Sequence, residues 1–232
     1  QMTTGNEKVQ LAAGIAHTYE NAISAQNSAT ANPDKDDYRN NSGNISVRFT
    51  PNETNEFGVR FFETQGRKAY DKLYGANSEQ YNKTKVQQIS AYSNNQLTER
   101  WSSQFKVAQM LDRADDYDSQ PYSGSGHSLF QTKTQDIFWQ NQLTTDYGTG
   151  IAGLSHTTQK LKVDTVDYDQ TKRTTKSAWL GYNLDKNRHH LQINGRFDDV
   201  SDVGNYTTGA INYGFDLNPK WNIGLSGHIG VV

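Results

Sequence analysis

The feature that most constrains this chain is an alternation of apolar and polar side chains running from Ser177 to Gly230. In Ser177-Ala178-Trp179-Leu180-Gly181-Tyr182-Asn183-Leu184 the apolar residues recur at every second position. The pattern returns as Leu191, Ile193 and Phe197, separated by Gln192, Asn194, Arg196 and Asp198. It returns again as Ile211, Tyr213, Phe215 and Leu217, then as Trp221, Ile223, Leu225 and Ile229. The intervening residues are polar or tiny: Asn212, Gly214, Asp216, Asn222, Gly224, Ser226 and His228. A period of two puts successive side chains on opposite faces of a strand. A soluble sandwich alternates as well, so the connections have to decide the environment.

Those connections are unequal. Strands are expected around Val9–Tyr19, Ile45–Phe49, Phe57–Phe61, Val86–Leu97, Trp101–Leu111, Phe130–Thr145 and Gly150–Val163, ahead of the four already described. Long polar segments, Glu20–Asn41, Thr64–Lys83, Asp112–Ser128, Asp164–Thr171 and Asp199–Asn205, alternate with tight turns such as Thr98-Glu99-Arg100. Short turns at one end and long, acidic loops at the other are the grammar of an outer-membrane barrel. The fold class is therefore all-β, an antiparallel transmembrane β-barrel of about eleven strands. Leu180, Ile193, Ile211 and Leu225 are expected to face lipid, and Trp179, Asn194, Asn212 and Ser226 the lumen.

Composition fits once that fold is in mind. A third of the 232 residues are hydrophobic, and mean hydropathy is −0.88, a thin supply for a soluble core. A barrel in lipid needs apolar residues on its outer face alone. Thirteen tyrosines and four tryptophans suit interfacial girdles. With no cysteine, a disulfide framework and a thiolate metal site are both excluded. A net charge of −2 gives no pointer to nucleic acid. An odd strand count leaves two edges needing partners, since bacterial barrels close on even numbers. The chain, residues 1–232, is thus expected to be part of one larger barrel domain and not to close alone.

Four segments in order carry a family resemblance. They are Asn32-Pro33-Asp34-Lys35-Asp36-Asp37-Tyr38-Arg39-Asn40, Arg67-Lys68-Ala69-Tyr70-Asp71, Asn194-Gly195-Arg196-Phe197-Asp198-Asp199 and Tyr213-Gly214-Phe215-Asp216-Leu217-Asn218-Pro219. Together they resemble the barrel of TonB-dependent outer-membrane receptors, and within these the cobalamin (vitamin B12) transporters. The resemblance implies a barrel of about 22 strands and uptake of a scarce large ligand. It also implies contact with TonB through an N-terminal plug outside this chain, and a wall set in outer-membrane lipid. A siderophore or other-ligand receptor, or a passive porin, is the alternative.

The resemblance also implies a calcium site. Asp34, Asp36 and Asp37 on one long loop, with Tyr70 and Asp71 on the next, match the family's ligand pattern. Ca²⁺ takes six to eight hard oxygens in irregular geometry, which two neighbouring loops can supply. One further ligand of the family is matched only by Asn82, which implies a weaker site; the plain alternative is a solvated acidic loop. Asp115-Asp116-Tyr117-Asp118 and Asp164, Asp167 and Asp169 read as loop-tip solvation. His189-His190 reads as surface, and His156 and His228 as lumen filling. No triad or phosphate cradle is evident, so the chain is expected not to be an enzyme.

Overall fold

The computed structural model describes residues 1–21, 32, 34–71, 78–122 and 124–231. The strands are β1 (Met2–Gly5), β2 (Val9–Asn21), β3 (Asp37–Asn52), β4 (Asn55–Tyr70), β5 (Gln80–Thr98) and β6 (Trp101–Asp118). They continue as β7 (His127–Thr145), β8 (Gly148–Val163), β9 (Lys172–Lys186), β10 (His189–Val200), β11 (Gly204–Asn218) and β12 (Trp221–Val231). All twelve form one antiparallel sheet in sequence order, each hydrogen-bonded to its neighbours in the chain. Sequential hairpins of this kind need no crossover, so the topology follows from the turns alone. Among the described residues β12 pairs with β11, β2 pairs with β1 and β3, and no ladder joins β12 to β1 or β2.

The register sorts the side chains into two faces. One row runs Ala13, Ile45, Phe61 and Ile89 across β2 to β5. Another runs Phe49, Phe57, Ser93, Phe105, Trp139, Leu154, Ala178 and Phe197 from β3 to β10. Tyr182, Ile193 and Ile211 form a third on β9 to β11. Every one of these rows lies on the same face. Its large apolar residues stay exposed: Leu180 at 67%, Leu225 at 76%, Ile193 at 44%. In water such a continuous apolar face would be an aggregation surface; as the lipid face of a barrel it is required. The opposite face carries Trp179, Arg196, Asn194, Asn212 and Ser226, as the alternation predicts.

Four expectations need correction. There are twelve strands, not eleven: β1 is a four-residue edge strand too short to show a period. Asp199–Asn205 is no long loop, because β10 and β11 run to within three residues of each other and turn through Asp202 at φ 64°. His156 faces outward, paired with Ile137 and Lys176 on the lipid-side face, whereas His228 sits on the lumen side beside Ala210. The strands also reach further than the apolar pattern does. β4 continues to Tyr70, and β6 takes in Asp115 to Asp118, which are therefore strand residues and not a loop tip.

Candidate functional site: the long-loop rim

The ends of the sheet differ. At one end the connections are two or three residues, as at 53–54, 99–100, 146–147, 187–188 and 219–220. At the other lie 22–36, 71–79, 119–126 and 164–171. All of 22–31, where the first long loop begins, lies outside the described residues, as do Pro33, 72–77 and Ser123.

At this rim the structure brings Asp34, Asp36 and Asp71 together, with one carboxylate oxygen of each within 4.8 Å of the others. The hairpin explains the meeting. The β3–β4 ladder ends at Tyr38 opposite Lys68, and continuing that register places Asp36 across from Tyr70, beside Asp71. Asp36 is buried, at 8% exposure, and Asp34 is exposed. Three carboxylates so close repel one another unless a cation or protons intervene. Their hard oxygens, some able to bind through both atoms, fit Ca²⁺ in chemistry and spacing, with carbonyls or water completing the shell.

Asp37 is turned the other way. It is the first residue of β3, one position out of phase with Asp36, so it joins the outward face. There it accepts from Arg39 Nε at 2.6 Å and Arg67 Nη1 at 2.5 Å. Burial pushes the Asp37 carboxyl up, but the two guanidiniums outweigh it and hold it below the usual carboxylate range. Tyr70 faces inward, opposite Gln80. Burial, with the charges of Asp116 and Asp118 nearby, pushes its phenol up and keeps it neutral. Both groups stand above the apolar belt.

Beside the carboxylates is a polar network that the sequence did not reveal. Ser78, 1% exposed, donates to Asp118 at 2.8 Å and is itself bonded by the Gln80 amide. Gln80 also donates to Asp118 at 3.1 Å, and Asn82 to Asp116 at 2.8 Å. Asn32, on the first long loop, donates to the Ser78 carbonyl at 3.4 Å. Asp116 and Asp118 are thereby tied to the β4–β5 end that presents Asp71. Gln80 Oε1 is buried with no partner among the described residues, which leaves an acceptor free beside Tyr70. Asn82 is spent on Asp116. No signal in the sequence paired these residues, since they lie in stretches that read as loop.

Below the rim, the lumen face of β7 to β10 holds an aromatic pair, Phe138 and Trp179, stacked with centroids 5.3 Å apart. Lys106 lies over Phe138 and Arg196 over Trp179, at 5.4 and 5.6 Å. Asp136, Asn194 and His228 line the same concavity. His189 and His190, at the short-turn end, bond Tyr213 and Asp216.

No protein-family model and no curated protein sequence matches this chain. Solved structures do match in shape. The chain is similar to the ferric enterobactin receptor of Pseudomonas aeruginosa, with TM-score 0.68, 12% identity, 92% of this chain and 38% of the receptor. It is also similar to a structure of the RagAB peptide importer, with TM-score 0.61, 8% identity, 94% of this chain and 33% of that one. The chain covers 38% and 33% of the length of these two neighbours. At such identities the likeness is one of fold, and the fold is the wall of an outer-membrane β-barrel.

Proposed function

We propose that this chain is one arc of the barrel of a TonB-dependent outer-membrane receptor that imports cobalamin, with Ca²⁺ ordering its extracellular rim. The plug that contacts TonB would be supplied by sequence outside these residues. The observation that carries the reading is the convergence of Asp34, Asp36 and Asp71 from two long loops onto one point of the rim. Support for an import receptor comes from the wall itself, since the structures it is similar to include those of a receptor and an importer. Neither of those is described as an enzyme. Cobalamin rests on the four-segment resemblance.

A bound Ca²⁺ would neutralise the three carboxylates and fix the two loops relative to each other. Loops already ordered cost a large ligand less on binding. Calcium and ligand would then raise each other's affinity by the same factor. A siderophore receptor is the second reading, favoured by the likeness to the ferric enterobactin receptor.

The test is cobalamin binding to the full-length protein in outer-membrane vesicles, with calcium and with chelator. Calcium-dependent binding that Asp34→Ala, Asp36→Ala and Asp71→Ala abolish, in a protein that stays heat-modifiable on a gel, supports the reading. Cobalamin binding indifferent to calcium refutes the metal's role. Ferric catecholate binding without cobalamin binding refutes the ligand and favours the siderophore alternative.

A further inference from the structure

On the outward face, the apolar belt gives way to bases at the long-loop end. Along β7 the outward residues run Trp139, Ile137, Gln135, Lys133; along β8, Leu154, His156, Thr158, Lys160; along β9, Leu180, Ala178, Lys176, Thr174, Lys172. Lys133 is the register partner of Lys160, and Lys160 that of Lys172. Three ammonium groups thus stand in one row on three adjacent strands about 4.8 Å apart. Like charges directly opposite destabilise a sheet.

Neighbouring strands treat their bases differently. Arg67 has Asp37, Lys85 has Glu63 at 3.1 Å, and Arg113 has Asp115 at 2.6 Å. Among the described residues Lys133, Lys160 and Lys172 have no carboxylate within ion-pair distance. Those three bases on β4 to β6 each have a carboxylate partner, and the three lysines on β7 to β9 have none among the described residues. Two of the three lysines, Lys160 and Lys172, are exposed.

Their height is informative. Lys133 lies four residues beyond Ile137, about 13 Å along a strand and about 10 Å along the barrel axis at the usual tilt. Headgroups begin where the hydrocarbon ends and extend about 5–8 Å on each side. Lysine stems lie along apolar surface while their ammonium groups reach toward that layer. The backbone of the row therefore lies just beyond the headgroup layer, on the outward face at the end that carries the long loops, and the lysine stems bring the ammonium groups back into that layer.

We propose that Lys133, Lys160 and Lys172 form a docking row for the phosphate groups of anionic lipids in the leaflet surrounding the long-loop end. A phosphate carries up to two charges and three acceptor oxygens, so one headgroup can bridge two neighbouring ammonium groups and relieve their repulsion. The inference rests on the membrane orientation of the sheet, not on the imported ligand.

Native mass spectrometry of the full-length protein in neutral detergent tests it. The protein is titrated with a bisphosphorylated glycolipid of the lipid A type, with the same lipid dephosphorylated, and with inorganic phosphate. Retention of the phosphorylated lipid at least tenfold above the dephosphorylated one is expected. That preference should weaken as salt rises, and should be lost in a triple variant Lys133→Gln, Lys160→Gln, Lys172→Gln but kept with arginine at all three positions. Lys106→Gln, on the lumen face, should leave it unchanged. If the glutamine variant fails to fold, Lys172→Gln alone, near the strand's end, should still lower retention. Equal retention of both lipids, or retention unaffected by the glutamine variants, overturns the proposal. Competition by millimolar inorganic phosphate in place of lipid, or recovery of a bound protein instead, overturns the lipid assignment.

Discussion

Leu180→Arg tests the membrane reading most directly. The outward residues of β9 run Lys176, Ala178, Leu180, Tyr182, Leu184 and Lys186, so bases bracket the apolar segment. Ten residues at about 3.3 Å, tilted by about 40°, span about 25 Å of barrel height, the height of a lipid-facing apolar band. Leu180 lies four residues from the upper base, within about 3 Å of the middle. Its register partners are Ala152 and Gly195, and its side chain is 67% exposed, so there is little packing to lose. The cost of arginine is then nearly all transfer into hydrocarbon, about 2–4 kcal/mol at mid-bilayer. Asn212, on the lumen face between Gln192 and Ser226, provides the contrast. Asn212→Arg removes one exposed hydrogen bond to Gln192 and should stay within about 0.5 kcal/mol. The assay is reversible denaturant unfolding of the full-length protein in phospholipid vesicles. Equal effects at the two positions, or a silent Leu180→Arg, would refute the assignment of faces.

Asp71→Ala should weaken calcium binding by about tenfold or more, because removing even an outer-shell partner of a metal costs 10–100-fold; titration calorimetry reads it. Asp37→Ala should leave calcium affinity within about twofold, since Asp37 is engaged by Arg39 and Arg67, and calcium binding as sensitive to it as to Asp71 would contradict the placement. Because the folded Asp37 carboxyl titrates below its unfolded value, its ion pairs contribute stability above the unfolded value and lose it as pH falls through the folded one. Stability compared between wild type and Asp37→Asn across that acid range should converge at its lower end. Gly153→Ala should cost about 1–3 kcal/mol by overpacking, because a Cβ there would come within 2.2 Å of the Trp179 ring and push it off its 3.2 Å bond to Gln140; unchanged tryptophan fluorescence and stability would count against it.

What could be read in the sequence was set by where one face meets lipid and the other meets water. There the two environments differ and the alternation is clean, which is why Leu180, Ile193, Ile211 and Leu225 were placed correctly. Above the belt both faces of the wall meet water. Gln65, Arg67, Lys83, Lys85 and Asp115 still lie on paired strands, but nothing apolar marks their phase, so these stretches read as loop. The rim carboxylates came from the resemblance, since their meeting depends on the β3–β4 register and on no spacing along the chain. The same register separated Asp37 from its neighbours by a single step of phase.

That phase also explains why a net charge of −2 said so little about partners. On β6, Asp112 and Asp116 point inward while Arg113, next to Asp112 in the chain, points outward. Asp136 faces the lumen on β7, and Lys133 the lipid side. Lys160 and Lys172 add outward charge with no outward acid between them. Summed along the chain the charges nearly cancel; across the thickness of the wall they separate. A cation at the inner rim and an anion at the outer leaflet are therefore compatible demands of one sheet, because a strand delivers alternate residues to opposite sides. If they are independent sites, the Lys133, Lys160 and Lys172 glutamine variant should leave calcium affinity unchanged, and Asp71→Ala should leave lipid retention unchanged. Loss of both functions in either variant would mean that the wall had unfolded, and that the separation of charge is structural and not recognition.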